Sequence, residues 1–333
     1  MIRRREFITL LGGAAVWPLT AQAQQSGRLP TIGWLDQIDP NSDTLAGGQL
    51  AGFKQGLAEQ GYVVDRNVYL EFHNARGAEQ MRALADDLVR RQVAVIVTNT
   101  GGLTHAAKAA TQSIPIVFSM AGDPVEEGLV TSLNRPGGNL TGVSIQGGQV
   151  AAKRLELLHE LVPKPQSIAA VTRSLGGAGG PDFSRAQARG FQAAALAHGL
   201  HLLPFNVATD GDIAGVFAKA VQQGAGALIV GGRPLAAVTD QMISLANRYS
   251  LPTMFFTSSA VAAGALASYG ADLLDLNRQV GLYTGRILNG EKPADLPVQT
   301  ATKFELVINL KTAKAIGLNV SQDMLSIADQ VIE

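Results

Sequence analysis

Short apolar runs alternate with amphipathic stretches along this chain, and the alternation predicts strands and helices in regular succession. Thr31–Leu35 reads as a buried strand, followed by a polar loop from Asp36 to Asp43. Ala46, Leu50, Phe53 and Leu57 then recur at steps of four, three and four, which lines one face of a helix. Gly61 closes that helix where a positive φ is wanted. Val68–Phe72 alternates as a second strand, and Met81, Leu84, Leu88 and Val89 mark a second helix. Val93–Val97 is apolar on both faces, as central parallel strands are. Asn99-Thr100-Gly101-Gly102 follows it, then a short helix from about Leu103 to Thr111 and an apolar run, Pro115–Phe118.

Beyond a Gly122-Asp123-Pro124 turn and a segment rich in turn-forming residues, Arg135–Ser144, the rhythm restarts. A helix carries Leu155, Leu158 and Leu161, and Ile168–Val171 is a strand. A glycine-rich loop, Gly176–Gly180, precedes a helix from about Phe183 to His198, closed by Gly199. A fainter strand (Leu200–Phe205), a helix capped near Asp210, the buried strand Ala227–Val230, a helix to Tyr249 and the strand Thr253–Phe256 complete the set. The halves echo each other: Gln92–Val97 answers Gly226–Val230, and Ile114-Pro115-Ile-Val-Phe118 answers Leu251-Pro252-Thr-Met-Phe255. Alternating β and α with this spacing implies an α/β protein of two doubly wound parallel-sheet lobes.

The tail adds an extended link (Leu266–Tyr269), a helix from Asp272 to Asn289, a strand (Phe304–Ile308) and a last short helix capped by Asn309. That is too little for a third core, so it should pack on the two lobes and make the hinge between them multi-crossing. The expected division is residues 29–142 with about 270–300 as lobe 1, and 144–267 with about 303–333 as lobe 2. Thr141–Ser144 is then the first of about three hinge crossings.

A length of 333 residues suits two domains. Lys and Arg number 27 against 27 Asp and Glu, with no basic run beyond the extreme N-terminus, which argues against nucleic acid as a partner. The absence of cysteine excludes disulfides, thiolate nucleophiles, Cys-ligated metals and a lipidated Cys anchor. Residues 1–23 read as an export signal: Arg4-Arg5-x-Phe7-Ile8 fits a twin-arginine pattern, Leu10–Leu19 is a short apolar core, and Ala21-Gln22-Ala23 is an A-x-A cleavage site. The apolar run is about half of the roughly 20 residues a membrane-spanning helix needs. A soluble, periplasmic, monomeric mature protein is the expectation.

Ligands of open α/β sheets bind beyond the carboxyl ends of the strands. Those ends put forward Trp34, Asp36, Asn99, Thr100, Gly101, Asp123, Arg173, Ser174, Gly232, Arg233 and Phe256, with Tyr269 on the extended link. Asp123 either accepts from a ligand ammonium or caps the turn before Pro124, and Arg173 and Arg233 either pair with a carboxylate or line a solvated rim. Gly176–Gly180 lacks both the dinucleotide and the P-loop signatures. The five histidines show no metal spacing and no Gly-x-Ser-x-Gly elbow is present, so no catalytic set, metal or cofactor is assigned.

The chain resembles the ABC-transporter substrate-binding family that includes tryptophan- and tyrosine-binding exported proteins. Phe53-Lys-Gln-Gly-Leu57 with Gly61-Tyr62, Ile114–Phe118 with Gly122-Asp123-Pro124, and Arg135-Pro-Gly-Gly-Asn139 to Thr141-Gly-Val-Ser144 carry the likeness. So do Lys153–Leu158, Ser268-Tyr-Gly270, and Leu296-Pro297 with Lys303–Gly317. The resemblance implies the type I periplasmic-binding-protein fold, hinge closure over a small solute, and delivery to a membrane ABC permease. Carried over, the ligand contacts fall after Trp34, on Asn99–Gly101, on Asp123 and at Thr141. Where many members have an Asn-Pro-x-Asn turn, this chain has Thr172-Arg173-Ser174-Leu175 and the glycines, so an organic carboxylate held by Arg173 rivals an aromatic amino acid as ligand. The alternatives to transport are a ligand sensor for a membrane receptor and, more remotely, an exported enzyme on the same fold.

Overall fold

The computed structural model describes residues 29–37, 44–75, 77–162, 165–173, 183–232, 235 and 238–333. The expected export signal, the loop Gly176–Gly180, and the candidates Ser174 and Arg233 lie outside the described residues.

Two sheets organise the chain. The first contains β1 (Thr31–Asp36), β2 (Tyr69–Asn74), β3 (Val95–Thr98), β4 (Ile116–Met120), β5 (Leu140–Ser144) and β11 (Gln299–Thr300), in the order β11-β5-β4-β3-β1-β2. Every pair in it is parallel. The second contains β6 (Ser167–Thr172), β7 (His201–Asn206), β8 (Ala227–Val230), β9 (Thr253–Phe255), β10 (Ala267–Ala271), β12 (Phe304–Asn309) and β13 (Gln330–Ile332), in the order β13-β12-β10-β9-β8-β6-β7. Its one antiparallel pair is β10 with β12, because β12 enters this sheet on the chain's last return from the other one.

Helices cover both faces of each sheet. In lobe 1, α1 (Thr44–Glu59) and α9 (Leu273–Leu288) cover one face, with Phe53, Leu57, Leu276 and Val280 in the core. On the other, α2 (Ala78–Arg90) and α3 (Gly101–Ala110) bury Met81, Leu88 and Leu103. In lobe 2, α4 (Gly147–Leu161), α5 (Phe183–Ala197), α10 (Leu310–Ala315) and α11 (Gln322–Ile327) share one core. The opposite core takes α6 (Ile213–Gln222), α7 (Thr239–Arg248) and α8 (Ser258–Ala262). No described helix is long and apolar enough to cross a membrane.

Two stretches differ from the sequence expectation. Leu140–Ser144 is a fully enclosed strand between β4 and β11 rather than a crossing. Its Leu-Thr-Gly-Val-Ser composition hides a strand because Gly142, at φ +159, lies under Phe118, where an added Cβ would sit 2.0 Å from the Phe118 carbonyl oxygen. Of Leu266–Tyr269, all but Leu266 likewise belongs to β10, laddered between β9 and β12. The crossings fall just outside these strands, at residues 145–146, 272 and 301–303. Hydrogen bonds tie the crossings together: Ala301 N–H donates to the Ser144 carbonyl at 2.9 Å and Asp272 N–H to the Lys303 carbonyl at 3.1 Å.

Candidate functional site

In each sheet the chain reverses its direction of winding at one place, between β1 and β3 and again between β6 and β8. The crevice at such a switch point is where open α/β sheets take ligands. Asp36 ends β1, and Asn99 follows β3. Both are buried, at 6% and 7% exposure. The Asn99 amide nitrogen donates to Asp36 Oδ2, Trp34 Nε1 donates to the same oxygen at 3.3 Å, and Gln37 N–H donates to Oδ1 at 2.6 Å. Because the amide nitrogen is committed to Asp36, the orientation of Asn99 is fixed. Its oxygen is left buried and, among the described residues, without a donor. An unmet buried acceptor costs on the order of 1–3 kcal/mol, so it marks a place where a partner belongs.

Immediately beyond, Thr100 caps α3, accepting from Leu103 N–H at 3.4 Å, and Gly101 opens the helix. The Glu127 carboxylate lies against this terminus and contacts His105 Nε2 at 3.3 Å. Only glycine leaves it room: a Cβ on Gly101 would meet Glu127 Oε2 at 3.0 Å, and one on Gly122 would overlap Oε1 at 1.7 Å. The favourable field of a helix N-terminus accounts for a carboxylate there. Glu127 and His105 were missed because nothing in the sequence spacing joins them.

At the second switch point Arg173 follows β6, and its guanidinium already pairs with Asp210 at 2.7 Å. Gly231 and Gly232 follow β8 and are buried, Gly232 at φ +153. A Cβ on Gly231 would press on the Val171 carbonyl at 2.9 Å and on Gln187 Oε1 at 3.2 Å. Beneath this end lies Arg154 of α4, 3% exposed. Its Nε donates to the Tyr269 carbonyl at 2.9 Å, and its Nη1 to the carbonyls of Val230 at 3.0 Å and Gly231 at 3.3 Å. Burial pushes its pKa down to about 10, which leaves it cationic at neutral pH.

The remaining candidates separate. Trp34 is a core side chain, edge-on to Phe53 at 4.6 Å, and reaches the site only through its indole N–H. Thr141 is wholly enclosed and its hydroxyl donates to the Leu296 carbonyl at 2.7 Å, so it faces the returning chain rather than a ligand. Asp123 is exposed and caps its turn, accepting from Val125 N–H at 2.7 Å and Glu126 N–H at 3.2 Å. Phe256, half-buried, packs on the α6–α7 core. Tyr269, also half-buried, stacks on Phe304 at 6.0 Å, and burial raises its hydroxyl pKa. Among the described residues no group of three or more His, Asp or Glu is placed to hold a metal ion.

Comparison with known proteins bears on this geometry. Residues 44–332 match the family model described as ABC transporter substrate binding protein. A tyrosine-binding protein of Clostridioides difficile (strain R20291) is 28% identical over 276 residues, 80% of this chain and 76% of that protein. The crystal structure of an ABC domain from Streptococcus pneumonia in complex with L-Trp is 28% identical, with a TM-score of 0.81 over 92% of this chain and all 100% of that one. A conserved domain protein from Vibrio cholerae is 25% identical, with a TM-score of 0.80 over 91% of this chain and 100% of that one.

Proposed function

We propose that this chain, which belongs to the ABC transporter substrate-binding protein family, is exported and captures a zwitterionic amino acid with an aromatic side chain for a membrane ABC permease. The observation that carries the ligand class is the unpartnered oxygen of Asn99 beside the Asp36 carboxylate. A buried acceptor next to a buried anion suits an ammonium group, which brings three donors and a positive charge. The N-terminus of α3, two residues on, has N–H groups and a positive dipole end that suit a carboxylate, and the carboxylate of the same molecule would have to displace Glu127 to use them. The tyrosine-binding and L-Trp-bound relatives support an aromatic side chain.

The rival ligand, a simple organic carboxylate gripped by Arg173, would have to compete with Asp210 for that guanidinium. The twin-arginine-like start and the Ala21-Gln22-Ala23 site support export, and the family supports delivery to a permease without catalysis; action as a monomer belongs to the same reading. Lobe closure supplies the remaining contacts, so full binding energy is gained only when both lobes engage.

Thermal shift and calorimetry with L-tryptophan, L-tyrosine, tryptamine, indole-3-propionate and succinate test the reading. The two amino acids are expected to raise the melting temperature by mass action, and the compounds lacking either charged group to do so far less. A shift with succinate and none with either amino acid would transfer the assignment to the carboxylate class.

A further inference from the structure

Arg154 breaks a local rule. It lies on the sheet-facing side of α4, where Leu155, Leu158 and Leu161 fill the core, and an apolar residue would satisfy packing at that position. A buried cation carries a desolvation penalty of several kcal/mol. Among the described residues every hydrogen-bond partner of Arg154 is a backbone carbonyl: Tyr269, Val230 and Gly231. Carbonyl dipoles engage its Nε and Nη1 N–H groups but bring no counter-charge. Such an arrangement persists where the guanidinium does something that a leucine cannot.

The three carbonyls show what that is. Tyr269 sits two residues from the end of β10, which runs directly into the second crossing at Asp272. Val230 ends β8 and Gly231 follows it, at the switch point of lobe 2. Arg154 itself is two turns into α4, the first element after the first crossing. β8 and β10 are not neighbours in the sheet, since β9 lies between them. One planar fork therefore joins two non-adjacent strand ends to the helix that leaves the hinge. In a trans peptide the carbonyl and N–H point in opposite directions. Holding the Gly231 carbonyl toward α4 therefore turns the Gly232 N–H away from it, and sets the glycine pair at the ligand-facing edge.

We infer that Arg154 is a positioning residue that couples the hinge crossings to the ligand-facing end of β8, so that this edge moves with the crossings as one body. The inference rests on the binding reading for its affinity readout, but not for its structural one. Arg154→Met and Arg154→Lys variants test it, with Phe217→Leu, fully buried in the other core of lobe 2, as a control for lost stability alone. L-tryptophan affinity by calorimetry and ligand-induced compaction by small-angle scattering are the first readouts.

Arg154→Met is expected to bind at least tenfold more weakly and to compact less. Arg154→Lys should recover part of both, because an ammonium keeps the charge but cannot present a planar fork to two strand ends. Phe217→Leu should lower the melting temperature and bind within twofold of the parent. Parent-like affinity and compaction in Arg154→Met overturn the inference. If the parent itself fails to bind L-tryptophan, it is the amino-acid reading that fails, and amide exchange decides the coupling. Exchange at residues 231–232 and 271–273 should then quicken together in the Arg154 variants, and exchange unchanged at either segment overturns it.

Discussion

Asn99 shows how one side chain can anchor a neighbour with one atom and leave another buried and unmet. Its amide nitrogen anchors Asp36 while its oxygen has no donor among the described residues. Asn99→Ala loses a bond to a charged group, worth about 1.5–3 kcal/mol, and removes an orphaned acceptor costing about 1–3 kcal/mol. The two changes oppose each other, so the melting temperature should move by only a few degrees while amino-acid affinity falls tenfold or more. Calorimetry on a variant of near-parental melting temperature checks this, and an unchanged affinity would remove Asn99 from the site. Asp36 and Asn99 were legible in the sequence because both stand where an apolar strand ends. Thr141 and Asp123 show the limit of that rule. A strand end or turn names a position, but not whether the hydroxyl or carboxylate is already used by Leu296 or by the turn's own N–H groups. Arg154 was illegible for a related reason. Within Lys153-Arg-Leu-Glu-Leu-Leu158 nothing sets it apart from the charged residues beside it.

At the scale of elements, the pairing of α1 with α9 joins segments that lie more than two hundred residues apart. Gly52 and Gly56 on one helix and Gly281 and Gly285 on the other bring the backbones into contact. An added Cβ would lie 2.2 Å from Leu274 O at Gly52, 2.0 Å from Arg278 O at Gly56 and 2.2 Å from Phe53 O at Gly281. Backbone cannot yield as a side-chain tip does, so Gly281→Ala should cost about 1–3 kcal/mol, typical of overpacking. Gly48, on the same helix α1, has open space around its missing Cβ. There Gly48→Ala should gain up to about 1 kcal/mol from helix propensity. Thermal denaturation of the two variants tests both signs at once. The apolar periodicity revealed each of these helices, since it records which face is buried. It does not record the partner, and the glycine spacing meant nothing until the tail was seen lying on lobe 1. The tail's strand Phe304–Ile308 was legible, but the one before it was lost for want of a run: Ala267-Ser-Tyr-Gly-Ala271 is a strand through its neighbours, not its propensity.

For the molecule as a whole, the question is what holds two lobes in register when the polypeptide crosses between them three times. Among the described residues, the ion pair across the cleft adds little. Arg189 of α5 approaches Glu126 of lobe 1 at 3.7 Å, with 70% and 73% of each side chain exposed, and such pairs contribute about 0–1 kcal/mol. The crossings are better tied. Besides the Ser144–Ala301 and Asp272–Lys303 backbone bonds, Asp275 at the start of α9 accepts from Lys303 Nζ at 3.2 Å, Arg278 Nη2 at 3.3 Å and Gln279 Nε2 at 2.8 Å. Burial alone would raise the Asp275 pKa, but the hydrogen bonds from Gln279, Lys303 and Arg278 outweigh it and hold the group below its ordinary value of 3.8. A depressed carboxylate pKa means that the unfolded chain binds the proton more readily. Its contribution to stability is therefore complete above the unfolded value and is lost as pH falls through the folded one. Asp275→Asn keeps the volume and removes the charge. It should lower the melting temperature by a few degrees at pH 7, and the difference from the parent should shrink as the pH drops below about 4. A difference that stays constant down to pH 3 would mean that the Asp275 charge does not clamp the third crossing, and that the backbone bonds hold it alone.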